Sequence, residues 1–351
     1  MVMDPTFVPY RVAAAYLKKK LETFGLPSPS VGIICGSGLS GLSSALEGET
    51  LTIHYGNIPG FPSHCTIDGH EGEVVFGMLD GVSTMCFRGR FHSYEGHDMK
   101  TVVLPVHVMR CLQVRLVIVT NAAGGLNPAY SVGDVVAVSD HVAIPQIAGK
   151  NPLIGPNDDE LGPRFPPMSN AYPEELRNLV YKAADELGFN FVRKEGACYC
   201  FASGPMYESR AECRFLRNLG GDMVGMSTIP EITAAHHCGM KIICLSLITN
   251  KVIIAGDEGP AASHAEVLDA VNRRAIEMQS LVKRIVYILN KGILPDLPEL
   301  PPVSLETRTS TIQSFLHRHI LGVPLHCYLT SAAALAVLST VSGKIVLVTK
   351  K

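Results

Sequence analysis

The chain has 351 residues, of which 47% are hydrophobic, and a formal net charge of −2. That length supports one large or two modest domains with ample core. It carries no basic block and no basic patch interleaved with aromatics, so a nucleic-acid footprint is not indicated.

In chain order, Met1–Gly25 lacks the charged-then-apolar layout of a signal peptide. Val12, Ala15, Leu17 and Leu21 instead predict an amphipathic helix. Apolar runs predict strands at Val31–Cys35, Val74–Met78, Val82–Phe87, Leu116–Thr120, Val135–Val138, Met223–Met226 and Ile242–Leu247. Asp80-Gly81 between the second and third is a hairpin signal, so that pair must be antiparallel. Helical patterns lie near Thr101–Leu112, Pro173–Leu187, Arg210–Leu219, Pro230–Cys238 and Ser263–Asn290. The last opens Ser263-His264-Ala265-Glu266, which has capping-box spacing. Strands interleaved with helices predict an α/β domain with a mixed central sheet flanked by helices.

A boundary is expected near Leu294. Residues 1–293 form the main domain, and residues 294–302, with four prolines and two acids, read as a stiff linker. Residues 303–351 form an extension of unknown role. Within it, Val323–Gly343 lacks Lys, Arg, Asp and Glu and reaches the ~20 residues of a membrane span. His326, several Ser and Thr and modest apolarity favour a docked helix followed by a strand at Ile345–Val348 over a tail anchor.

Ten cysteines could suggest disulfides. However, Cys35, Cys86, Cys111, Cys200 and Cys244 fall in or beside apolar runs, where a free thiol acts as a small buried hydrophobe. Cys198 and Cys200 do not have redox or zinc spacing. Reduced thiols imply a reducing compartment, and a soluble cytoplasmic protein is expected.

Gly36-Ser37-Gly38-Leu39-Ser40-Gly41 matches G-x-G-x-x-G after the first strand. A dinucleotide site would also need an acid about 20 residues on, and residues 51–66 hold no Asp or Glu. What remains is a glycine turn whose backbone N–H groups favour an anion, with the Ser37 hydroxyl beside them. A merely tight turn is the competing reading. Residues 89–96, Gly-Arg-Phe-His-Ser-Tyr-Glu-Gly, follow another strand. If they stay extended, Arg90, His92 and Tyr94 project to one side and suit an oxyanion beside a hydroxylated ligand; a solvated turn is the alternative.

Small residues at Asn121–Gly125 let backbone approach a ligand, or merely relieve a crowded crossover. Glu208 stands just before a helix, where a solvated carboxylate is common. Met226, Ser227 and Thr228 offer a thioether and hydroxyls, and Asn250 closes a strand with an amide. His236-His237-Cys238 looks metal-like, yet three consecutive helical residues cannot converge on one ion, and no metal is expected.

Taken together and in order, GSG (36–38), GHEG (69–72), GRFHSYEG (89–96), TNAAGGLN (120–127), GPNDDELGPRFPPMSNAY (155–172), GPMYE (204–208), VGMSTIPE (224–231), SLITN (246–250) and SHAEVL (263–268) resemble the trimeric class of purine nucleoside phosphorylases. They span nearly all of residues 30–290. The tail after Leu294 has no counterpart in that pattern. The resemblance implies a nucleoside phosphorylase-type fold with a partly barrel-like sheet. It implies phosphorolysis of 6-oxopurine nucleosides such as inosine and guanosine to base and ribose 1-phosphate, a step of purine salvage.

By the same resemblance Ser37, Arg90, His92, the backbone N–H of Ala122 and Ser227 grip phosphate, with His70 flanking it. Tyr94, Val224 and Met226 line the nucleoside, and His264 meets the 5′-hydroxyl. Glu208 and Asn250 read the base beside Tyr207, which stands where phenylalanine is often found. Phe165 crosses a subunit boundary in a homotrimer, and no cofactor is needed beyond phosphate as co-substrate.

The chemistry agrees. Cleaving the glycosidic bond makes the sugar cationic and the purine anionic. Phosphate beneath the sugar is both nucleophile and counter-ion, held by a guanidinium, an imidazole and N–H groups worth about 3 kcal/mol per donor. His264, in a first helical turn, is disfavoured as a cation and reads as a neutral partner. A methylthioadenosine phosphorylase is the nearest rival, but such enzymes resemble this chain with aspartate at Asn250 and without glutamate at Glu208. A nicotinamide-dependent oxidoreductase rests on the glycine pattern alone. A nucleoside-binding module without catalysis is disfavoured, because each mapped polar position holds a competent residue.

Overall fold

A computed structural model describes residues 8–63, 65, 67, 69–254 and 263–305, and the backbone of 339–341 and 344–346. Pro9–Leu305 forms one compact unit. Its strands are β1 (Val31–Ile34), β2 (Glu47–His54), β3 (Glu73–Leu79), β4 (Val82–Arg88), β5 (Leu116–Gly125), β6 (Val135–Ala143), β7 (Val192–Phe201), β8 (Met223–Gly225) and β9 (Lys241–Lys251). Its helices are α1 (Pro9–Phe24), α2 (Met99–Val102), α3 (Leu104–Cys111), α4 (Ile144–Ile147), α5 (Glu174–Leu187), α6 (Arg210–Asn218), α7 (Ile229–His237), α8 (His264–Lys291) and α9 (Ile293–Asp296).

The strands run in the order β2-β3-β4-β1-β5-β8-β7-β6-β9, and β9 returns to pair with β5. Five strands therefore close a ring, with β2, β3, β4 and β1 extending from it as an open wing. The sheet is mixed: β1 is parallel to both β4 and β5, while β3 and β4 form the expected antiparallel hairpin. Asp80 and Gly81 both take positive φ at its turn, as a two-residue hairpin demands.

Alternation of side chains along the strands feeds two cores. Ile34, Phe87, Val117 and Val119 join the cluster covered by α1, α3 and α7. Val31, Ile33, Cys86, Leu116 and Ile118 join the cluster covered by α5 and α8. Being buried on both faces explains why these strands read as unbroken apolar runs.

Two strands escaped the sequence reading. β2 exposes most of its residues and buries only Ile53, so it shows no apolar run. β7 begins Val-Arg-Lys-Glu-Gly, and its apolar half starts only at Ala197. β5 and β9 run past the expected ends, into the small and polar residues that border the site.

Residues 294–302, expected as a linker, lie against this unit. Leu294 is buried, Arg115 donates to Leu297 O at 2.8 Å, and Arg110 donates to Pro301 O at 2.6 Å. Residues 1–8 and 306–351 form a second unit, in which β10 (Ser339–Val341) pairs antiparallel with β11 (Lys344–Val346). The strand expected at 345–348 overlaps β11; the helix expected before it and most of the Val323–Gly343 stretch lie outside the described residues. Among the described residues no helix is long and apolar enough to cross a membrane.

Candidate active site

A cavity of about 120 Å³ opens where the C-terminal ends of β1, β4, β5, β8 and β9 meet the start of α8. Ser37, Arg90, His92, Tyr94, Ala122, Tyr207, Glu208, Val224, Met226, Ser227, Asn250 and His264 all line it. Twelve of the fourteen residues singled out in the sequence thus share one hollow. His70 stands directly behind it. Phe165 is elsewhere, 85% exposed, with the Arg164 guanidinium 5.4 Å from its ring centroid.

The glycine turn leaves β1 and enters a short 3-10 helix, Ser40–Ala45, instead of the α-helix of a dinucleotide fold. A Cβ at Gly36 would fall 2.8 Å from Thr120 O, so only glycine lets β1 and β5 run this close. Gly36 N–H donates to the Thr120 hydroxyl at 3.1 Å, which ties the turn to the neighbouring strand.

The segment Gly89–Gly96 does not stay extended: Ser93–Glu95 makes a 3-10 turn. Tyr94 still reaches the cavity, because the turn lays its ring on the His92 imidazole with centroids 4.5 Å apart and planes at 16°. Glu95 makes the turn possible by accepting from His92 N–H at 2.9 Å and facing His92 Nδ1 at 3.1 Å. A carboxylate accepts, so Nδ1 carries the proton and Nε2 keeps its lone pair. Burial lowers the His92 pKa below the usual histidine value, although Glu95 opposes this.

His70 is oriented in the same manner. The backbone N–H of Arg90 donates to its Nδ1 at 2.8 Å, leaving the proton on Nε2, which lies 3.0 Å from Ser37 Oγ. Ser37 thus accepts from His70 and keeps its own O–H to donate elsewhere. Burial, with His92 and Arg90 beside it, pushes the His70 pKa well below its ordinary value. Neutral imidazoles fit both hydrogen-bond patterns.

Arg90 is 2% exposed. Its Nη1 donates to Thr228 Oγ1 at 3.0 Å and to Glu231 Oε2 at 2.7 Å, and its Nη2 donates to Thr120 O. On the opposite side, β9 slips one residue against β5 between Ala123 and Gly124, so Gly124 partners Asn250. Such a bulge re-aims a side chain. Asn250 turns into the cavity with Thr249 beneath it, and Glu208 comes from the loop before α6. Burial raises the Glu208 pKa. Ser263 caps α8 by accepting from Glu266 N–H at 3.3 Å, as its spacing predicts, and so sets His264 at the first helical position.

Glu95, Thr228, Glu231 and Thr249 were not assigned roles from sequence. Glu95 had a signal, since it stands three residues after His92, the reach of one helical turn. The consecutive histidines diverge: His236 Nε2 meets Pro167 O at 2.8 Å and His237 Nε2 meets Asn157 Oδ1 at 3.2 Å.

Residues 30–287 match the family model described as Phosphorylase superfamily. The chain is 43% identical to the purine nucleoside phosphorylase of Bos taurus, the match covering 80% of this chain and 95% of the relative. It is likewise 43% identical to purine nucleoside phosphorylase 1 of Bacillus subtilis, over 78% of this chain and 96% of that one. A crystal structure of the Schistosoma mansoni purine nucleoside phosphorylase in complex with inosine superposes with a TM-score of 0.74 at 40% identity, covering 80% of this chain and 97% of that chain.

Proposed function

The chain belongs to the purine nucleoside phosphorylases of the phosphorylase superfamily, and from that premise we propose how its cavity cleaves a 6-oxopurine nucleoside with phosphate. The observation that carries this reading is that Arg90 and Asn250 line one cavity, together with Glu208 and Tyr94. A cation and an amide so placed can serve the two ends of one nucleoside.

Phosphate sits against Ser37, Arg90, His92, the Ala122 N–H and Ser227. The Ser37 O–H, freed by His70, donates to one oxygen, and Arg90 supplies a charge-assisted donor to another. The His92 Nε2 lone pair accepts from a protonated phosphate oxygen. Tyr94 and Met226 flank the ribose and His264 meets its 5′-hydroxyl. As the bond to the base breaks, the phosphate anion beneath the ribose stabilises the cationic sugar and then bonds to its anomeric carbon. The departing purine gains electrons, which Asn250 Nδ2 offsets by donating toward N7 and O6. Glu208 accepts from N1–H, with Tyr207 and Val224 as apolar walls.

Phosphate is the co-substrate, and the chemistry calls on no metal or organic cofactor. Phe165 extends from its own subunit and closes the ribose pocket of a neighbour in a homotrimer; its near-complete exposure, and that of Ile147 at 79% and Met206 at 69%, support such a contact. A cytoplasmic location accords with the free thiols of the described cysteines.

The test is product analysis with inosine, guanosine, adenosine and methylthioadenosine, each with and without phosphate. Hypoxanthine and guanine released only with phosphate, alongside ribose 1-phosphate, is the expected result. Release without phosphate means a hydrolase, and preference for methylthioadenosine means the rival phosphorylase.

A further inference from the structure

Arg90 is held by groups that do not themselves border the nucleoside cavity. Thr228 and Glu231, both 1% exposed, accept from the same Nη1, while the Thr120 carbonyl accepts from Nη2. Three elements thus converge on one guanidinium: the middle of β5, the residue before α7 and the first turn of α7. Neither Thr228 nor Glu231 lines the cavity.

Thr228 reaches this position at a backbone cost. It takes φ 77° and ψ −54°, and Ile229 N–H donates to Ser227 O at 2.8 Å across it. This is a γ-turn of the strained hand, rarely seen at any residue and least at a β-branched one. Strain of this kind persists only where the surroundings over-determine it. Here the turn points the Ser227 side chain toward the cavity and the Thr228 hydroxyl back to Arg90, with the two oxygens 3.0 Å apart. Glu231 adds a second unusual feature, a carboxylate buried between elements. Burial works against its ionised form and Arg90 works for it. Its Oε1 has no protein partner among the described residues and faces, with Ser93, a hollow of about 10 Å³, the room of one water.

We propose that Thr228 and Glu231 are positioning residues for phosphorolysis, acting through Arg90 to aim its remaining N–H groups at the phosphate. The inference rests on the reading that Arg90 meets phosphate. A buried arginine with one partner could rotate about its long stem; three acceptors from three elements fix the plane of the guanidinium before the anion arrives. This orientation matters because an arginine donates in a rigid planar fork.

The experiment is steady-state kinetics on the full chain, with phosphate varied at saturating inosine and inosine varied at saturating phosphate. Thr228→Val keeps shape and branching but removes the hydroxyl, and Glu231→Asp keeps the charge but withdraws the carboxylate. Each is expected to raise the phosphate KM about tenfold and move the inosine KM less than twofold, with Thr228→Ser restoring the wild-type value. In an Arg90→Gln background, Thr228→Val should add nothing, because its effect passes through the missing guanidinium.

Equal shifts in both KM values, or full additivity with Arg90→Gln, overturn the proposal and leave Thr228 and Glu231 as structural. If Glu231→Asp does not fold, the Thr228 pair and the double-variant comparison still decide. Arg90→Gln alone tests the underlying reading. Unaltered phosphate dependence in that variant rejects the phosphate site itself, whereas lost dependence with a silent Thr228→Val rejects only the positioning role.

Discussion

Thr249 Oγ1 lies 3.2 Å from Asn250 Oδ1, at the point where β9 slips a residue against β5. The hydroxyl donates to the amide oxygen, and also lies 3.4 Å from Ala123 O, so in the proposed binding mode Nδ2, with two donors, is what Asn250 offers the base. Donors suit N7 and O6 of a 6-oxopurine and clash with the 6-amino group of adenine. Asn250→Asp should therefore lower kcat/KM for inosine about a hundredfold, the loss typical of a transition-state donor, and raise the adenosine:inosine ratio. An unchanged ratio in parallel assays would count against the assignment.

Glu208 must be ionised to accept from N1–H, and burial lifts its pKa above the ordinary carboxylate value. As pH falls through that raised pKa the carboxylate protonates, so kcat/KM for inosine should decline at a higher pH than an exposed glutamate would cause. Glu208→Gln should be slower throughout and lack this acid limb. A pH profile of both proteins decides it, and an identical limb in the variant assigns the titration elsewhere.

His107 is packed under α1, its ring centroid 5.1 Å from that of Tyr10, and burial lowers its pKa to about 4. Between that value and the ~6.5 of an unfolded histidine, the unfolded chain binds the extra proton. Stability from this group is full above pH 6.5 and is lost as pH falls toward 4, by roughly 2–3 kcal/mol. Urea unfolding of His107→Gln at pH 5 and pH 7.5 should show a smaller loss between the two than wild type. An equal loss would place the acid sensitivity in other groups.

Phe165 stands outside its own cavity, so Phe165→Ala should leave the phosphate KM unchanged and raise the inosine KM at least tenfold if the ring serves a neighbour. Mixing Phe165→Ala with an Arg90→Gln variant under subunit exchange should restore some sites to full competence, since each supplies what the other lacks. Light scattering of the unmixed proteins tests the trimer independently, and a monomeric mass removes the basis for complementation.

Much of the site was legible because its residues occur in short runs at strand ends, and a strand end carries its neighbours to the same rim. Arg90 and His92 followed from alternation. Tyr94 did so for the wrong local reason, since a 3-10 turn rather than an extended run delivers it. What stayed hidden depends on partners far apart in the chain. Glu231 is 141 residues from the arginine it holds, and the position of Asn250 depends on a bulge between two strands. β2 was silent because an edge strand bathed in solvent needs no apolar run.

The closed ring of five strands has a consequence for how such an enzyme can diversify. In the proposed binding mode the anion's seat is built at the ends of β1, β4 and β5, from residues such as Ser37, Arg90 and Ala122 that the sheet holds in place. The heterocycle's side is bordered in the proposed binding mode by Tyr207 and Glu208, in the loop before α6, and by Val252 just past β9, all outside the strands. New base preferences can therefore accumulate by drift at those loop positions while the reaction itself is inherited intact.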